Sequence, residues 1–481
     1  MTPRGEENKK VRWAALSSLV LAIVCLPGCV VVGPDFERPG VAEQLPESFD
    51  LPPGWKVADP GGRPDLPREW WKIYRDEGLD RLMSEAEENN QDLVAAFHRV
   101  EQAAAISGRA RSAWFPLLTF EPSARRTRRS ATISNTSENL TGRTTTNLSL
   151  PLVIDYELDL WGKLRRAIEA AEAETLASDS AYRQVLLTLQ TELAARYTEL
   201  RATDTEIGIF EEAVGLRRKS LELNQKRFDA GDTDAVDVSR AQTELSSTRT
   251  ELLELRQTRE ELVNAIAVLT GRPSSGFHIP HHPLRGAPPA FPAAVPCELL
   301  ERRPDIAEAE HVMIAENARI GIAKAAFFPT VKLSATAGLE SGSIDQLFNI
   351  ASRTWGLGPE ISFPVFDAGA NKAELARSEA RYDETVALYR SAILKAVREV
   401  DDAFVAISNL GERASTQQQT VSSAQETVRL SRQRYEAGVV AYFEVVDAQR
   451  TELDAEQGAV RILAARHLAA IALVKALGGG W

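Results

Sequence analysis

Few side chains of this sequence are grouped for catalysis. The 481 residues hold no phosphate-cradling GxxxxGKS/T loop, no HExxH zinc helix and no GxSxG nucleophile elbow. The protein is therefore expected not to be an enzyme and to need no cofactor. The densest ligand cluster is HIPHH, with His278, His281 and His282. Three imidazoles in a short loop can chelate a metal. They sit in a Pro-rich stretch without ligand spacing, so a polar linker is expected and no metal site is assigned. His98, His311 and His467 stand alone on helical patterns and are expected at the surface or the waist of the molecule. Acidic pairs abound, and most belong to solvated helix faces. Glu444 and Asp447 differ because they follow Gly438, at a short turn between two long helical patterns.

Cys29 is the other candidate for chemistry. Lys9, Lys10 and Arg12 precede an apolar run from Trp13 to Leu26, which ends in Leu26-Pro27-Gly28-Cys29. The run is short for a membrane span and suits a signal-peptide core. The ending is similar to a bacterial lipobox, so residues 1–28 are expected to be a cleaved lipoprotein signal. Cys29 would carry palmitate-type acyl chains, and more than one chain anchors firmly. Val30 follows Cys29, so the common Asp signal for inner-membrane retention is absent. Without residues 1–28 the chain holds 52 basic and 66 acidic side chains, a net charge of −14. Such a chain has no basic footprint for nucleic acid. Cys297 would be left as a small buried hydrophobe.

Residues 30–68 are rich in Pro and Gly and predict an extended strap over 29–78. Helical periodicity runs from about Leu79 to Trp114, Lys163 to Ala230, Ala235 to Gly271, Cys297 to Phe328, Asn371 to Ala437 and Tyr442 to Leu477. The second of these is Pro-free and would reach about 100 Å, too long for a compact domain. Residues 274–296 form a Pro-rich linker. The pattern then restarts. ARSAWFPLLTF at 110–120 matches AKAAFFPTVKL at 323–333, and SLPLV at 149–153 matches SFPVF at 362–366, both at an offset of 213. RFDAGDTDAVDVSRAQ at 227–242 matches RYEAGVVAYFEVVDAQ at 434–449, at an offset of 207. An internal duplication is expected, with repeats at 79–273 and 297–481.

Each repeat holds two segments of period two. They are Leu118 to Ala124 and Leu148 to Ile154 in a hairpin at about 115–158, then Val331 to Leu339 and Trp355 to Val365 in one at about 328–366. Their length fits membrane-crossing β-strands, with long polar connections between partners. Four strands per chain leave open edges that lipid does not tolerate. A homotrimer would close them into a 12-stranded transmembrane β-barrel.

On these segments the chain resembles the TolC-type outer-membrane efflux factors, in the lipoprotein branch that serves tripartite (RND-type) pumps. ELLERRPDIAEAEHVMIAENARIGIAKAAFFP (298–329) carries the most specific similarity. YELDLWGKLRRA (156–167), SFPVFDAG (362–369), RYEAGVVAYFEVVDAQ (434–449) and KALGGGW (475–481) add to it. The resemblance implies a mainly α trimer with membrane β-structure, in which a long α-helical barrel projects into the periplasm from the outer-membrane barrel. It implies a periplasmic adaptor, an inner-membrane pump and outer-membrane lipid as partners. The cargo would be drugs, toxic compounds or metal ions, hence a role in multidrug resistance. A duct for type I protein secretion and a lipidated periplasmic coiled-coil adaptor are the alternatives. The resemblance also implies a gate at the periplasmic tip. Asp447 matches an acidic ring and Glu444 a second acidic position. Asp237 matches an acid of the first repeat, Tyr435 a tyrosine that ties the tip shut, and Phe443 a bulky constriction. Val440 stands where some members carry a latching arginine, and Arg240 is the candidate substitute. Glu444 and Asp447 are otherwise ordinary helix N-terminal acids, favoured by the dipole.

Overall fold

The structure, a computed structural model, describes residues 31–39, 69–128, 130, 144–289 and 303–479. Cys29 and Cys297 lie outside the described residues. So do the signal segment, most of the strap and the last part of the linker.

The elements follow one order. A 3₁₀ turn at Trp70–Tyr74 precedes helices α1 (Glu77–Asn89) and α2 (Gln91–Ser112). Strands β1 (Leu117–Phe120), β2 (Ser123–Arg128) and β3 (Thr144–Leu158) lead into α3 (Lys163–Asp229) and α4 (Ala235–Leu269). Helix α5 (Pro304–Ala325), strands β4 (Thr330–Ser341) and β5 (Arg353–Ser362), and helices α6 (Ala370–Glu436) and α7 (Tyr442–Ala476) complete the chain. Helices α2 and α5 both have 22 residues, α3 and α6 both 67, and α4 and α7 both 35. No described helix is long and apolar enough to cross a membrane. The chain divides into two compact units, one of residues 1–39, 101–176 and 311–387, the other of 40–100, 177–310 and 388–481.

The first unit holds the sheet, ordered β1-β3-β4-β5 with β2 also on β3, every pairing antiparallel. A single first strand is expected from the alternation, yet β1 and β2 are separate. Pro122 lies between them and has no N–H to give the ladder. The register separates two chemistries. Leu118, Ile154, Ala335 and Leu357 form one row, and Phe120, Leu152, Ala337 and Trp355 the next. The alternate rows hold Asp155 with Ser334, and Glu157 with Lys332 and Glu360. Side chains alternate along a strand, so one face is continuously apolar and the other polar. On the polar face Ser334 Oγ donates to Asp155 Oδ1 at 2.7 Å and Asn147 Nδ2 to Glu340 Oε1 at 2.8 Å. The apolar face is bare in the single chain, with Trp355 81% exposed.

The strap residues 31–39 are pinned beside this sheet. Val32 N donates to the Trp161 carbonyl at 3.0 Å, and Arg166 Nη2 to Asp35 Oδ1 at 2.6 Å. Gly33 has φ of 108°, and any Cβ there would lie 2.5 Å from Gly321 Cα. Only glycine permits this crossing.

The second unit is built on a core of Trp70, Trp71, Met83, Leu193, Leu200, Ile266, Ile471 and Val474. Each large apolar side chain buried here contributes about 1.5–3 kcal/mol. The helix expected from Leu79 to Trp114 is divided at Asn90. Asn90 Oδ1 accepts from Leu93 N at 3.0 Å and caps α2, while Nδ2 donates to the Leu269 carbonyl at 2.9 Å and caps the end of α4. Apolar periodicity continues through this elbow, which is why a single helix is expected. Arg303 ties the start of α5 to its neighbours, donating to the Ala476 carbonyl at 2.8 Å and to Glu399 Oε2 at 2.8 Å.

Candidate functional site

The site residues expected from sequence gather at two interhelical turns of the second unit. Both turns end their long helix in the same way. Gly231 (φ 80°) and Gly438 (φ 72°) take the left-handed conformation. Asp232 N donates to Arg227 O at 2.8 Å, and Val439 N to Arg434 O at 2.9 Å, closing a six-to-one loop over each helix end. The next helix therefore reverses within five residues.

The first turn is closed locally. Asp234 caps α4, its Oδ1 accepting from Val236 N at 2.7 Å and Asp237 N at 3.3 Å. Thr233 Oγ1 donates to Asp237 Oδ2 at 2.7 Å, and Arg240 Nη1 stands 3.9 Å from Asp237 Oδ1. The second turn has no side-chain cap, because Ala441 occupies the N-cap position. Phe443, Glu444 and Asp447 are exposed on the first turns of α7.

The structure brings some of these residues together and not others. Tyr435 Oη donates to Asn224 Oδ1 at 2.9 Å, on α3, and not to Asp237. Asn224 is fully buried. The Tyr435 and Tyr442 rings meet at 5.5 Å, inside a cluster with Ala241, Val445 and Val446. Burial pushes the Tyr435 hydroxyl pKa up. Arg240 does not reach Glu444. Its guanidinium lies 5.7 Å from the Phe443 ring centre. The cation beside Glu444 is Arg434, at 3.7 Å. Asp447 has no ion-pair partner within 4.0 Å among the described residues.

Below the turns lies an ionic cluster that sequence reading missed. Glu244 of α4, 5% exposed, faces Arg217 of α3 at 3.6 Å and Arg450 of α7. Arg450 Nε donates to Glu244 Oε2 at 3.1 Å and its Nη2 also pairs with the carboxylate. Arg217 Nη1 also donates to Thr248 Oγ1. Desolvation lowers the Arg217 pKa, and the Glu244 charge opposes that shift. The cluster joins the first helix pair to α7. No short motif signals it, since its members lie 27 and 206 residues apart.

The HIPHH segment has a structural role in the described chain. Asp204, whose side chain is 1% exposed, is paired with Arg201 at 2.9 Å, Arg259 at 2.7 Å and His281 Nδ1 at 3.0 Å. It also accepts from His282 N at 3.0 Å. His278 and His282 line a cavity of about 760 Å³ with Tyr197 and Arg201. No group of three His, Cys, Asp or Glu suited to a metal occurs among the described residues. Of the two placements expected for His467, the surface and the waist, the surface one does not hold. His467 is 4% exposed, its Nε2 is 3.2 Å from the Gly286 carbonyl, and burial lowers its pKa.

Comparison with known proteins identifies the fold and the family. The solved outer-membrane channel OprN is 28% identical, with a TM-score of 0.83 over 94% of this chain and 99% of that one. Solved CusC is 30% identical, with a TM-score of 0.82 over 93% and 100%. Among curated relatives, the solvent efflux pump outer membrane protein SrpC of Pseudomonas putida is 33% identical over 96% of this chain and 97% of its own. The cation efflux system protein CusC of Escherichia coli O157:H7 is 31% identical over 95% and 97%. The family described as "Outer membrane efflux protein" matches residues 82–272 and 295–479. The chain therefore belongs to the outer membrane efflux protein family, a family of transport ducts and not of enzymes.

Proposed function

We propose that three copies of this chain form a passive exit duct across the outer membrane for small molecules, gated at the second helical turn. The observation that carries this is the sheet. Its apolar face is continuous, its opposite face holds Asp155, Glu157, Glu340 and Glu360, and both edges are open. The edge strand β5 runs opposite in direction to β1 and β2. It can therefore add to the β1–β2 edge of a second copy with antiparallel order preserved. Four strand positions per chain then give a closed barrel of 12 with a polar lumen. The equal helix lengths of the two halves support an internal duplication, and the long pairs α3–α4 and α6–α7 are read as the staves of a helical barrel.

Cys29 is proposed as the acylation site, holding the chain to the membrane from which the helices project into the periplasm. Its support is that Val31, two residues on, packs against Gly162, where an added Cβ would lie 2.7 Å from Val31 Cγ1. Rings of Asp447, Glu444 and Phe443 would line the entrance, with Tyr435 and Asp237 behind them. A duct has no energy source of its own. A periplasmic adaptor and an inner-membrane pump would supply cargo and bias the turn open, a two-state change driven by differential contact. Relatives named for solvents and for cations stand at 33% and 31% identity, so the cargo is assigned only as small molecules.

Membrane fractionation tests the assembly. A heat-resistant trimer extracted by detergent from the outer membrane is the expected result. A soluble periplasmic form would refute the duct.

A further inference from the structure

Strand β2 reads SARRTR and carries three arginines in six residues. The register sorts them by face. Arg126 pairs with Thr146 and Arg128 with Thr144, in two-residue steps from the Ala124–Leu148 pair. Both therefore lie on the apolar face of the sheet. Arg353, the first residue of β5, pairs with Leu339 and shares that face with Trp355 and Leu357. All three occupy strand ends that lead into the hairpin connections and not into the helices. At this end the face also carries the hydroxyls of Thr144, Thr146 and Ser341 and no carboxylate of the paired strands. The acid at this level, Glu340, is on the opposite face, where Asn147 occupies it. Arg126, Arg128 and Arg353 are exposed and form no ion pair among the described residues.

Cations at the border of an apolar band sit where lipid headgroups begin, and charge there costs far less than at the bilayer centre. A guanidinium fork matches two phosphate oxygens at once. The geometry points to a binding surface for the phosphates of a phosphorylated glycolipid in the outer leaflet, built from Arg126, Arg128 and Arg353. This rests on the duct reading above. In the closed ring β5 adjoins β1 and β2 of the next copy, so Arg353 completes the pair Arg126 and Arg128 across each of three equivalent seams. The partner is a lipid and not a soluble polyanion, because the arginines continue directly from the apolar band that acyl chains would cover.

The test titrates full-length protein in mild detergent with a bisphosphorylated lipid A-type glycolipid and with the same lipid after phosphatase treatment. Wild type is expected to prefer the phosphorylated form by about a hundredfold, at about one factor of five per arginine. R126Q/R128Q/R353Q loses that preference. Arg125→Gln, on the polar face opposite Asn147, keeps it. Equal binding of the two lipids, or an unchanged preference in the triple variant, overturns the surface. So does capture of inorganic phosphate without affinity for the glycolipid. Heat-resistant migration is followed in the same samples. A wild type that never migrates as a trimer refutes the duct, and with it this surface. Should the triple variant not assemble, R128Q and R353Q singly, each expected to lose about fivefold, decide the question.

Discussion

The two helical turns share a backbone and a net charge of −2 over residues 227–242 and 434–449, and they differ in how their acids are paired. Positions 207 residues apart correspond, and at each one the second turn has lost what closes the first. Asp234, a cap with two bonds, faces Ala441 in the comparison, and Thr233, which bonds Asp237, faces Val440. The pair Asp237 and Arg240 cancels in charge, whereas Glu444 and Asp447 at the same places are both acids. Deeper in, Arg217, Glu244 and Thr248 of the first half correspond to Ala424, Thr451 and Ala455. The first turn is thus tied locally, its acids Asp234 and Asp237 both engaged within the turn. The second is uncapped, leaves Asp447 without an ion-pair partner among the described residues and rests on Tyr435 bonding to distant Asn224, which is the character expected of the part that moves.

The largest expected effect comes from the ionic cluster. Glu244→Ala leaves Arg217 buried without its carboxylate and should cost about 3–5 kcal/mol. Thermal unfolding of the full-length protein reads this loss, and the matching Thr451→Ala should change little. A midpoint equally insensitive to both would break the contrast. Next in size is Tyr435→Phe, which gives the second turn the residue that Phe228 supplies in the first. Asn224 Oδ1 is then left buried without its donor, at about 1–3 kcal/mol. Faster amide exchange in residues 434–446, with residues 227–239 unchanged, is the expected reading.

Ala441→Asp should make the second turn more like the first. A cap contributes about 1 kcal/mol, so amide exchange at residues 442–445 should slow about fivefold. Unchanged exchange would mean that capping is not what separates the turns. The smallest effect concerns pH. Burial raises the Glu452 pKa, and Glu456 raises it further. The folded state then holds this proton more tightly than the unfolded chain. Its contribution to stability is present below the usual carboxylate value and is lost as pH rises through the raised one. Glu452→Gln should flatten the stability profile in the window just above pH 4.5. An identical slope in the variant would remove Glu452 from the account.

Much of the architecture is legible in the sequence because it rests on local pattern. The run expected from Lys163 to Ala230 is the helix Lys163–Asp229, since no Pro interrupts its periodicity and Gly231 ends it. Most of each period-two segment falls in a strand for the same reason, although β5 ends at Ser362, short of Phe363 and Val365. Breaks that depend on one side chain are harder to read, as at Asn90 and Pro122. Least legible are pairs across helices. Tyr435 and Asn224 are 211 residues apart, and Arg450 and Glu244 are 206 apart. In a sequence this rich in acids and arginines, nothing local marks which of them meet. The tip residues themselves are legible through family resemblance and the glycine turn. Arg434 as the neighbour of Glu444 was visible only in three dimensions.

In the proposed trimeric duct the second turn is an acidic gate. Single-channel recording in planar bilayers tests it most directly, with wild type compared against Asp447→Ala and Glu444→Ala/Asp447→Ala. A higher conductance and a weaker preference for cations are expected, stronger in the double variant. Conductance and cation preference equal to wild type in both variants would contradict it.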